Sequence, residues 1–377
     1  MAVKEIIRNK KYRIDIPIGY NGNKRIRHIE TFEGLKSEAV LRENELKLQL
    51  KNNTFVKKNK MTMEELIKEW LEYSETKLSP KTLVSYKLYT RNIIKCIGHI
   101  KLQNLNTKIL EDFYKELRTN TTYSDKTIQH HYTIISTALN KAIVWGYIQS
   151  NPNANIEKPK VKKKEIKCYS PEEVDLLINA LQSECLKYQA LILLALDTGC
   201  RRGEITGLTW EDIDFKNCTI NVNKTTQYIA EKGIFEKSTK TETSNRIIYV
   251  SKTTIEILKK YRVEQLKNKM QLGNLWQNSK RVFTNEFGGD MHPDTPSDIL
   301  KRILKRHKLP IISFHALRHT SISLQIASGI QAQIISKRAG HSSLAVTHNT
   351  YSHFFENEFK DVANKMESVL NIKKIAE

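Results

Sequence analysis

The chain has 377 residues, which is enough for two or three domains with separate cores. Its 62 Lys and Arg outnumber its 41 Asp and Glu, and the formal net charge of +21 indicates a polyanionic partner, either nucleic acid or an anionic membrane. No apolar run approaches the length that spans a bilayer, about 20 residues, and the N-terminus lacks a signal-peptide pattern. We therefore expect a cytoplasmic protein that binds nucleic acid and no membrane. Five cysteines without a C-x-x-C pair fit neither a disulfide framework nor a thiolate zinc site.

The first 55 residues predict a small β-rich module that ends in a helix. Residues 11–18 and 24–32 alternate apolar and polar side chains, as half-buried strands do, and a turn-forming cluster separates them. A helical segment over residues 37–50 would cover one face of the sheet. The expected module is a small three-stranded β-sheet plus this helix.

Three basic residues lie near the start of the second of these strands: Lys24, Arg25 and Arg27. They suit a solvated strand face, and they equally suit a sheet laid in a DNA groove, as in β-sheet DNA readers. Charge alone does not decide between the two interpretations.

Residues 61–155 predict an all-α domain that follows a positively charged linker. Its first helix has a capping box, in which Thr62 is followed three residues later by Glu65. A second helix begins with an N-cap Ser79 and with Pro80 at the first helical position.

The fourth helix of this domain is expected to begin at Ser124 or Asp125 and to bury one apolar face. Its opposite face would carry Lys126, His130 and His131. Adjacent histidines on a helix do not face a common site, which argues against a metal site. Exposed or DNA-facing positions are expected for these residues.

A basic, proline-containing stretch over residues 151–167 predicts the boundary before the last domain. Lys162 and Lys163 belong to its run of lysines. The stretch suits a solvated linker, and it also suits a strap that crosses DNA between two domains on opposite faces of the duplex.

Residues 168–377 predict a third domain that is mainly α-helical with a small antiparallel β-sheet, so the whole chain is expected to be multidomain α+β. A strongly apolar segment, residues 190–196, predicts a core helix that ends shortly before Arg201. Residues 237–242 and 246–250 flank a polar turn and predict a β-hairpin.

Several side chains of this domain suit a phosphodiester. His315 and Arg318 are three residues apart and project from one helix face, and Arg201 offers a second guanidinium that can bind phosphate oxygens in a fork. Tyr351, in a polar setting, offers a nucleophilic hydroxyl. His315 and His319 have the spacing of a helical zinc pair, but Ala follows His315 where zinc-protease motifs have Glu. We therefore expect His319 to pack or to donate a structural hydrogen bond.

Four separated segments together resemble the tyrosine recombinase family, the integrases of phages and integrative conjugative elements. Each alone is a modest signal, but all four occur in family order and at family-like separations. They are 198–204 (TGCRRGE), 239–241 (TKT) ahead of 245–246 (NR), 315–320 (HALRHT), and 340–343 (GHSS) followed by 350–353 (TYSH). One small departure is Ala339, where the family usually has Leu.

The resemblance also implies the roles of the domains. It covers residues 168–377 fully, as the catalytic domain with a C-terminal tail helix. Residues 61–155 resemble the SAM-like core-site DNA-binding domain, and residues 1–55 are similar to the arm-type DNA-binding domain.

The resemblance implies phosphate-binding or proton-donating roles for three side chains and a supporting role for a fourth. Arg201 and Arg318 would clamp the scissile phosphate, and Glu204 would support the first arginine. Lys240 would protonate the 5′ leaving oxygen.

Three further roles follow from the same resemblance. Tyr351 would be the nucleophile, and His315 would act as an acid and base near it. His341 would hydrogen-bond a non-bridging phosphate oxygen.

The attacking tyrosine must lose its proton. A free tyrosine has a pKa near 10, so about one in a thousand is phenolate at pH 7. We expect the cluster of Arg, Lys and His to favour the phenolate of Tyr351 and so to lower its pKa. Attack gives a covalent 3′-phosphotyrosine and a free 5′-OH. This link conserves the energy of the diester, so no cofactor, neither ATP nor a metal, is required.

The implied function is a DNA integrase that exchanges strands through a Holliday junction and integrates or excises a mobile element. The implied partners are double-stranded DNA with core and arm attachment sites, an excisionase and a DNA-bending host factor. The implied assembly is a homotetramer on two duplexes. The tail, residues 356–377, repeats apolar residues at helical spacing, and this face either docks on a neighbouring protomer or packs on its own domain.

Three alternatives remain open at this point. A type IB topoisomerase-like enzyme would share the chemistry, although the N-terminal module argues against it. A DNA-binding regulator would use the basic modules without chemistry, which the intact set of catalytic groups argues against. A metal-dependent nuclease would use His315 and His319 and would lose its activity in EDTA.

Overall fold

The computed structural model describes residues 3–8, 10–21, 24–51, 60–119, 122–161, 167–238, 245–348, 350–351 and 366. The chain divides into two compact units, Met1–Lys163 and Lys164–Glu377. The first unit holds both the predicted β-rich module and the predicted all-α domain. Within the described residues, no helix is long and apolar enough to cross a membrane.

The N-terminal module is an antiparallel sheet of three strands, in chain order, with one helix against it. Ile14 and Ile16 point to the same face because side chains alternate along a strand, and they pack with Leu46 of the helix in a small core. The predicted three-stranded sheet plus helix is confirmed. Its elements are β1 (Val3–Ile7), β2 (Lys11–Asn21), β3 (Lys24–Glu33) and α1 (Lys36–Lys51).

The three basic residues at the start of β3 are all exposed, but they do not share one face. His28 pairs with the buried Ile16, so even-numbered positions of β3 face α1. Arg25 and Arg27 lie on the opposite, uncovered face, whereas alternation places Lys24 on the other side. The Nε of Arg27 donates a hydrogen bond to Asp15 at 2.7 Å.

The next domain consists of helices that begin as predicted. The side-chain oxygens of Thr62, Ser79 and Ser124 each accept a hydrogen bond from the backbone N–H three residues later. One apolar face of each helix contributes to a common core. The helices are α2 (Met63–Glu75), α3 (Pro80–Ile97), α4 (Thr107–Thr119) and α5 (Asp125–Val144).

The prediction that His131 is exposed was wrong. Its side chain is fully buried, and its Nδ1 lies 2.9 Å from the carbonyl oxygen of Thr127. His131 follows Ile128 by three residues and precedes Ile135 by four, so it falls on the same helix face as these two core residues.

The other predicted DNA-facing residues of this unit have different surroundings. Lys126 is exposed, and the half-buried ring of His130 stacks on Tyr89 with ring centroids 5.3 Å apart. Lys162 and Lys163 lie outside the described residues.

The second unit has a helical core around α7 with short sheets on its side. The apolar α7 packs against α9 and α11, which explains why it is apolar nearly all round. The helices are α6 (Pro171–Leu181), α7 (Leu186–Thr198), α8 (Arg202–Gly207), α9 (Lys252–Leu272), α10 (Thr295–Arg306), α11 (Phe314–Ala327) and α12 (Ala332–Ala339). The strands are β4 (Ile213–Asp214), β5 (Thr219–Val222), β6 (Lys224–Ile229), β7 (Gly233–Ser238) and β8 (Arg246–Tyr249).

The predicted hairpin between residues 237–242 and 246–250 was wrong. Strand β7 pairs with β6 across a tight turn, and β8 instead pairs with β5 in the sheet β4-β5-β8. Gly233, with φ of +69°, permits the turn that reverses the chain between β6 and β7. Residues 239–244 and the predicted tail helix, apart from residue 366, lie outside the described residues.

Candidate active site

The short break between α7 and α8 fixes the position of Arg201. Gly199 ends α7 in the left-handed conformation, with φ of +63°, and Arg201 is the N-cap residue of α8. The backbone N–H of Arg201 donates to the Glu204 carboxylate at 2.8 Å. Its guanidinium donates to Glu204 at 2.9 Å and to the carbonyl oxygen of Gly340 at 2.8 Å. The side chain remains 42% exposed, so Arg201 is anchored and still accessible to a ligand.

Arg318 extends from α11 into the same place. Its Nη1 donates to the carbonyl oxygens of Gly199, at 2.8 Å, and Ala339, at 2.7 Å. Its Nη2 is buried and has no hydrogen-bond partner in the described part of the chain. Burial, followed by the nearby Arg201, lowers the pKa of Arg318 to about 10, which leaves it cationic at neutral pH. A buried donor without a partner costs free energy, and an anionic oxygen would relieve that cost.

The end of α12 brings His341 to the arginines. Gly340 ends this helix in the left-handed conformation. A Cβ atom at this position would lie 2.7 Å from the Nη1 of Arg246, so the close approach also requires glycine. The Nδ1 of His341 lies 2.7 Å from the hydroxyl of Thr347. When that hydroxyl donates, the Nε2 of His341 carries the proton and can donate to a ligand.

The imidazole of His341 is uncharged. Burial, with Arg318 and Arg201, lowers the pKa of His341 to about 4, so the ring is neutral at pH 7.

A buried ion pair lies beneath the two arginines. Glu204 bonds not only Arg201 but also Arg246 of β8, whose Nη2 lies 2.9 Å from the Glu204 Oε2. Their side chains are 4% and 8% exposed. Burial by itself raises the pKa of Glu204, but the contacts with Arg246 and Arg201 outweigh it and the net pKa is lowered. Arg246 lies in one of the four matching segments, but the resemblance implies no role for it.

Replacing Glu204 with Gln should destabilise this domain by about 3–5 kcal/mol, because Arg246 would keep a buried charge without its partner. The folded-state pKa of Glu204 lies below its ordinary value of 4.5, so the carboxylate stabilises the fold above that pH. The difference between wild type and variant should therefore be largest near neutral pH and should shrink as the pH falls below 4.5. Calorimetric unfolding of the full chain across pH measures both effects.

Glu211→Gln is the matched control, because Glu211 and its partner Lys280 are both well exposed. It should leave the unfolding transition unchanged. An equal shift of the unfolding transition in the two variants would show that the buried ion pair stabilises the domain no more than the exposed pair does.

Tyr351 is buried at the edge of the site, contrary to the polar setting that the sequence suggested. Its side chain is 1% exposed and packs with Ile322, Ile326 and Ile335, which belong to α11 and α12. The neighbours of Tyr351 along the chain are polar, and the apolar residues of its cluster precede it by at least 12 positions, from Ala339 backwards. A local pattern therefore could not reveal them.

The predicted lowering of the Tyr351 pKa was wrong. Burial raises the pKa of Tyr351 to about 12, and Arg318 offsets this effect only in part. Removing the phenol from water penalises the phenolate more than the nearby cation stabilises it. In this arrangement the hydroxyl keeps its proton and needs an acceptor before it can attack.

His319, for which packing or a structural hydrogen bond is predicted, is in contact with the Tyr351 hydroxyl. The Nδ1 of His319 lies 2.6 Å from the Tyr351 hydroxyl. His315 lies behind it, with ring centroids 4.7 Å apart in an edge-on arrangement. Burial, followed by Arg318 and Arg201, lowers the pKa of His315. The sequence signal for His319 is its i+4 spacing from His315, a spacing that is also typical of a helical metal pair.

The structure thus brings six of the seven predicted catalytic side chains together in one region of the second unit. They are Arg201, Glu204, His315, Arg318, His341 and Tyr351. The seventh, Lys240, lies outside the described residues. Among the described residues, no group of three His, Cys, Asp or Glu side chains could hold a metal ion. Two cationic forks, neutral imidazoles and a buried hydroxyl are a set of groups suited to phosphoryl transfer.

Two family models match this chain. The phage integrase family matches residues 167–358, and the phage integrase SAM-like domain matches residues 62–160. Both matches agree with the helical and mixed parts of the fold.

Similar proteins cover most of the chain. A tyrosine recombinase XerC-like protein of Caldanaerobacter subterraneus is 31% identical, over 91% of this chain and 92% of its own length. The ICEBs1 integrase of Bacillus subtilis is 26% identical, over 98% of this chain and 100% of its own length. Among solved structures, the Tn1549 transposon integrase in complex with transposon right end DNA has a TM-score of 0.68 at 19% identity. That likeness covers 80% of this chain and 100% of the other, and it shows a shared fold.

Proposed function

The chain belongs to the phage integrase family of tyrosine recombinases, and on this premise we propose that it integrates and excises a mobile element by cleaving and rejoining DNA at specific sites. The protein is a site-specific recombinase. Its family membership supports this function over that of a type IB topoisomerase-like enzyme. The observation that carries the proposal is the buried Nη2 of Arg318, a cationic donor without a protein partner in the described residues, in the same site as the Tyr351 hydroxyl.

In this proposal the scissile phosphate binds to Arg201 and Arg318. The Nη1 of Arg318 already holds two carbonyl oxygens, so its Nη2 is the donor that meets a non-bridging oxygen. Arg201 and the neutral His341 bind the remaining non-bridging oxygen. These donors are held in place before the reaction, so they stabilise the extra negative charge of the transition state without reorganising.

Cleavage then exchanges one phosphorus–oxygen bond for another. The Tyr351 oxygen bonds to phosphorus, the bond from phosphorus to the 5′-oxygen breaks, and Lys240 gives that oxygen a proton. His315, whose lowered pKa leaves it neutral at pH 7, is available to exchange a proton within the site. The product is a 3′-phosphotyrosine, which a second 5′-OH attacks to join new strands. Repeating the exchange on the second strand passes through a Holliday junction.

The DNA partner is expected to contact each part of the chain. We assign residues 1–55 to arm sites, 61–155 to core sites and 168–377 to catalysis on a homotetramer that holds two duplexes. The +21 net charge supports a DNA partner, and family membership supports the assembly, an excisionase and a bending protein. In the first module, Arg25 and Arg27 share the uncovered face of the sheet and are better placed than Lys24 for a groove.

Deleting residues 1–60 should leave core-site cleavage intact and impair integration into arm-containing DNA, because the arm contacts would be lost. The double variant Arg25→Gln and Arg27→Gln tests the same surface without removing the module. Integration and cleavage are measured separately on matched substrates with and without arm sites. Unchanged integration by both variants on arm-containing DNA would count against an arm-binding role.

The proposed function is tested with the DNA that flanks the gene, since it supplies candidate attachment sites. Purified protein should recombine two cognate duplexes in the presence of EDTA. Relaxation of any supercoiled plasmid without recombination would indicate a topoisomerase-like enzyme instead. Loss of all cleavage in EDTA would indicate a metal-dependent nuclease.

A further inference from the structure

The hydroxyl of Tyr351 has a direct partner that the roles above do not use. The Nδ1 of His319 lies 2.6 Å from it, and the two rings are tilted with centroids 5.6 Å apart. A separation of 2.6 Å is short for a hydrogen bond between a hydroxyl and an imidazole nitrogen. The contact therefore places the titratable imidazole of His319 beside the Tyr351 oxygen, which must lose its proton before it attacks.

We propose that His319 is the base that accepts the phenol proton of Tyr351 during strand cleavage and returns it during strand joining. This inference rests on the proposed function, since it concerns the same reaction. His319 touches the reacting oxygen, so the role is catalytic and does not act through another residue.

The state of the imidazole suits this role. Burial, with His315 and Arg318 nearby, lowers the pKa of His319 to about 4, so the ring is neutral at pH 7. In the tautomer with the proton on Nε2, the Nδ1 lone pair can accept a proton from Tyr351. Such a ring is a weak base in the absence of DNA. A bound phosphate adds negative charge beside the arginines and opposes their effect, so substrate binding strengthens the base where it is needed.

The other histidines of the site are less well placed for this step. The Nδ1 of His341 is engaged by Thr347, and the His341 ring centroid is 6.5 Å from that of Tyr351. His315 meets the edge of His319 and has no hydrogen bond to Tyr351 among the described contacts. Among the described residues, the titratable and charged groups that act on His319 and Tyr351 include His315, Arg318 and His341, together with Cys168, which adds to the raised pKa of Tyr351.

The step balances without a further reactant. The Tyr351 O–H bond breaks as the oxygen–phosphorus bond forms, and the proton moves to the Nδ1 of His319. The 5′-oxygen leaves with a separate proton from the general acid, which we assign to Lys240. In joining, the incoming 5′-OH gives its proton back to Lys240 as its oxygen bonds to phosphorus. The bond from phosphorus to the tyrosine oxygen breaks, and His319 returns the proton to that oxygen.

The raised pKa of Tyr351 explains why a base is required. With a pKa of about 12, only about one Tyr351 in 100,000 would be phenolate at pH 7 without assistance. A positioned general base contributes about 10²–10⁴-fold to a rate.

The test compares wild type with His319→Asn on a nicked core-site duplex that traps the covalent adduct. The Asn oxygen stands near the former Nδ1 and can accept the hydrogen bond, but it cannot take the proton. We expect the single-turnover cleavage rate at pH 7 to fall about 10²–10³-fold, with DNA binding retained. Above pH 6 the wild-type rate should vary little, whereas the variant rate should rise about tenfold per pH unit as solvent hydroxide removes the proton. His307→Asn, a histidine at the end of α10 and outside the site, should match wild type.

A second substrate separates the two proton transfers. It carries sulfur in place of the 5′ bridging oxygen, and a thiolate leaves without needing a proton. Lys240→Ala should regain cleavage on this substrate, whereas His319→Asn should remain slow because its defect lies at the nucleophile. Added imidazole should restore part of the rate to His319→Gly, a readout that does not depend on how well the Asn variant packs.

Three results would overturn the role of His319. They are a variant rate within threefold of wild type, a slower rate with an unchanged pH profile and no imidazole rescue, and recovery of His319→Asn on the sulfur substrate. A failure of the proposed function itself would look different, because wild type would then form no adduct on either substrate.

Discussion

Tyr351→Phe is expected to abolish covalent protein–DNA adducts while leaving DNA binding unchanged. The variant keeps the aromatic ring that packs against α11 and α12, and it removes the one atom that can attack phosphorus. The loss should be complete within detection, because phenylalanine cannot form the 3′-phosphotyrosine link. The hydrogen bond to His319 is lost as well, which costs about 1 kcal/mol of stability and does not threaten the fold.

Adducts are measured on the nicked core-site duplex by denaturing gel, and binding is measured by mobility shift. Tyr249→Phe is the matched control, since this tyrosine lies in the same domain and is mostly exposed. Adducts that persist in Tyr351→Phe and are equal to those of the control would remove Tyr351 as the nucleophile.

The second large effect is expected from Arg318→Lys. One guanidinium holds the carbonyl oxygens of Gly199 and Ala339 through Nη1 and still presents Nη2 to a ligand. A lysine keeps the charge but has one nitrogen, which cannot serve the carbonyls and the phosphate together. The cleavage rate should therefore fall by at least about 10²–10³-fold, the cost typical of losing one transition-state donor.

DNA binding should change little in Arg318→Lys, because many other cations contact the duplex and the charge is kept. Arg306→Lys, a mostly exposed site in the same domain, is the control and should retain full activity. Cleavage by Arg318→Lys at the wild-type rate would show that the unpaired Nη2 does not bind the scissile phosphate.

Local patterns predicted much of the fold. The starts of the helices at Thr62, Ser79 and Ser124 followed from capping residues, because a cap is decided within four positions of the chain. The N-terminal sheet followed from strict alternation. The pairing of β6 with β7 did not, because a polar strand gives no apolar alternation and strand partners depend on contacts that the local sequence does not contain.

The candidate site, like the fold, could be predicted only in part from the sequence. Its residue types and order could be recognised from four short segments, but their surroundings could not. The burial of Tyr351 and its contact with His319 arise from residues distant in sequence, and the burial reversed the predicted direction of the pKa shift. The buried pair of Glu204 with Arg246 likewise joins positions 42 residues apart.

The proposed reaction depends on one covalent link, which peptide mapping of the trapped adduct tests most directly. Wild-type protein is reacted with the nicked core-site duplex in EDTA, the DNA is trimmed with nuclease, and the protein is digested for mass spectrometry. Of the 15 tyrosines in the chain, only Tyr351 should carry a nucleotide, joined through its 3′-phosphate, with a free 5′-OH on the released strand. A nucleotide on any other residue, or a link through a 5′-phosphate, would contradict the account.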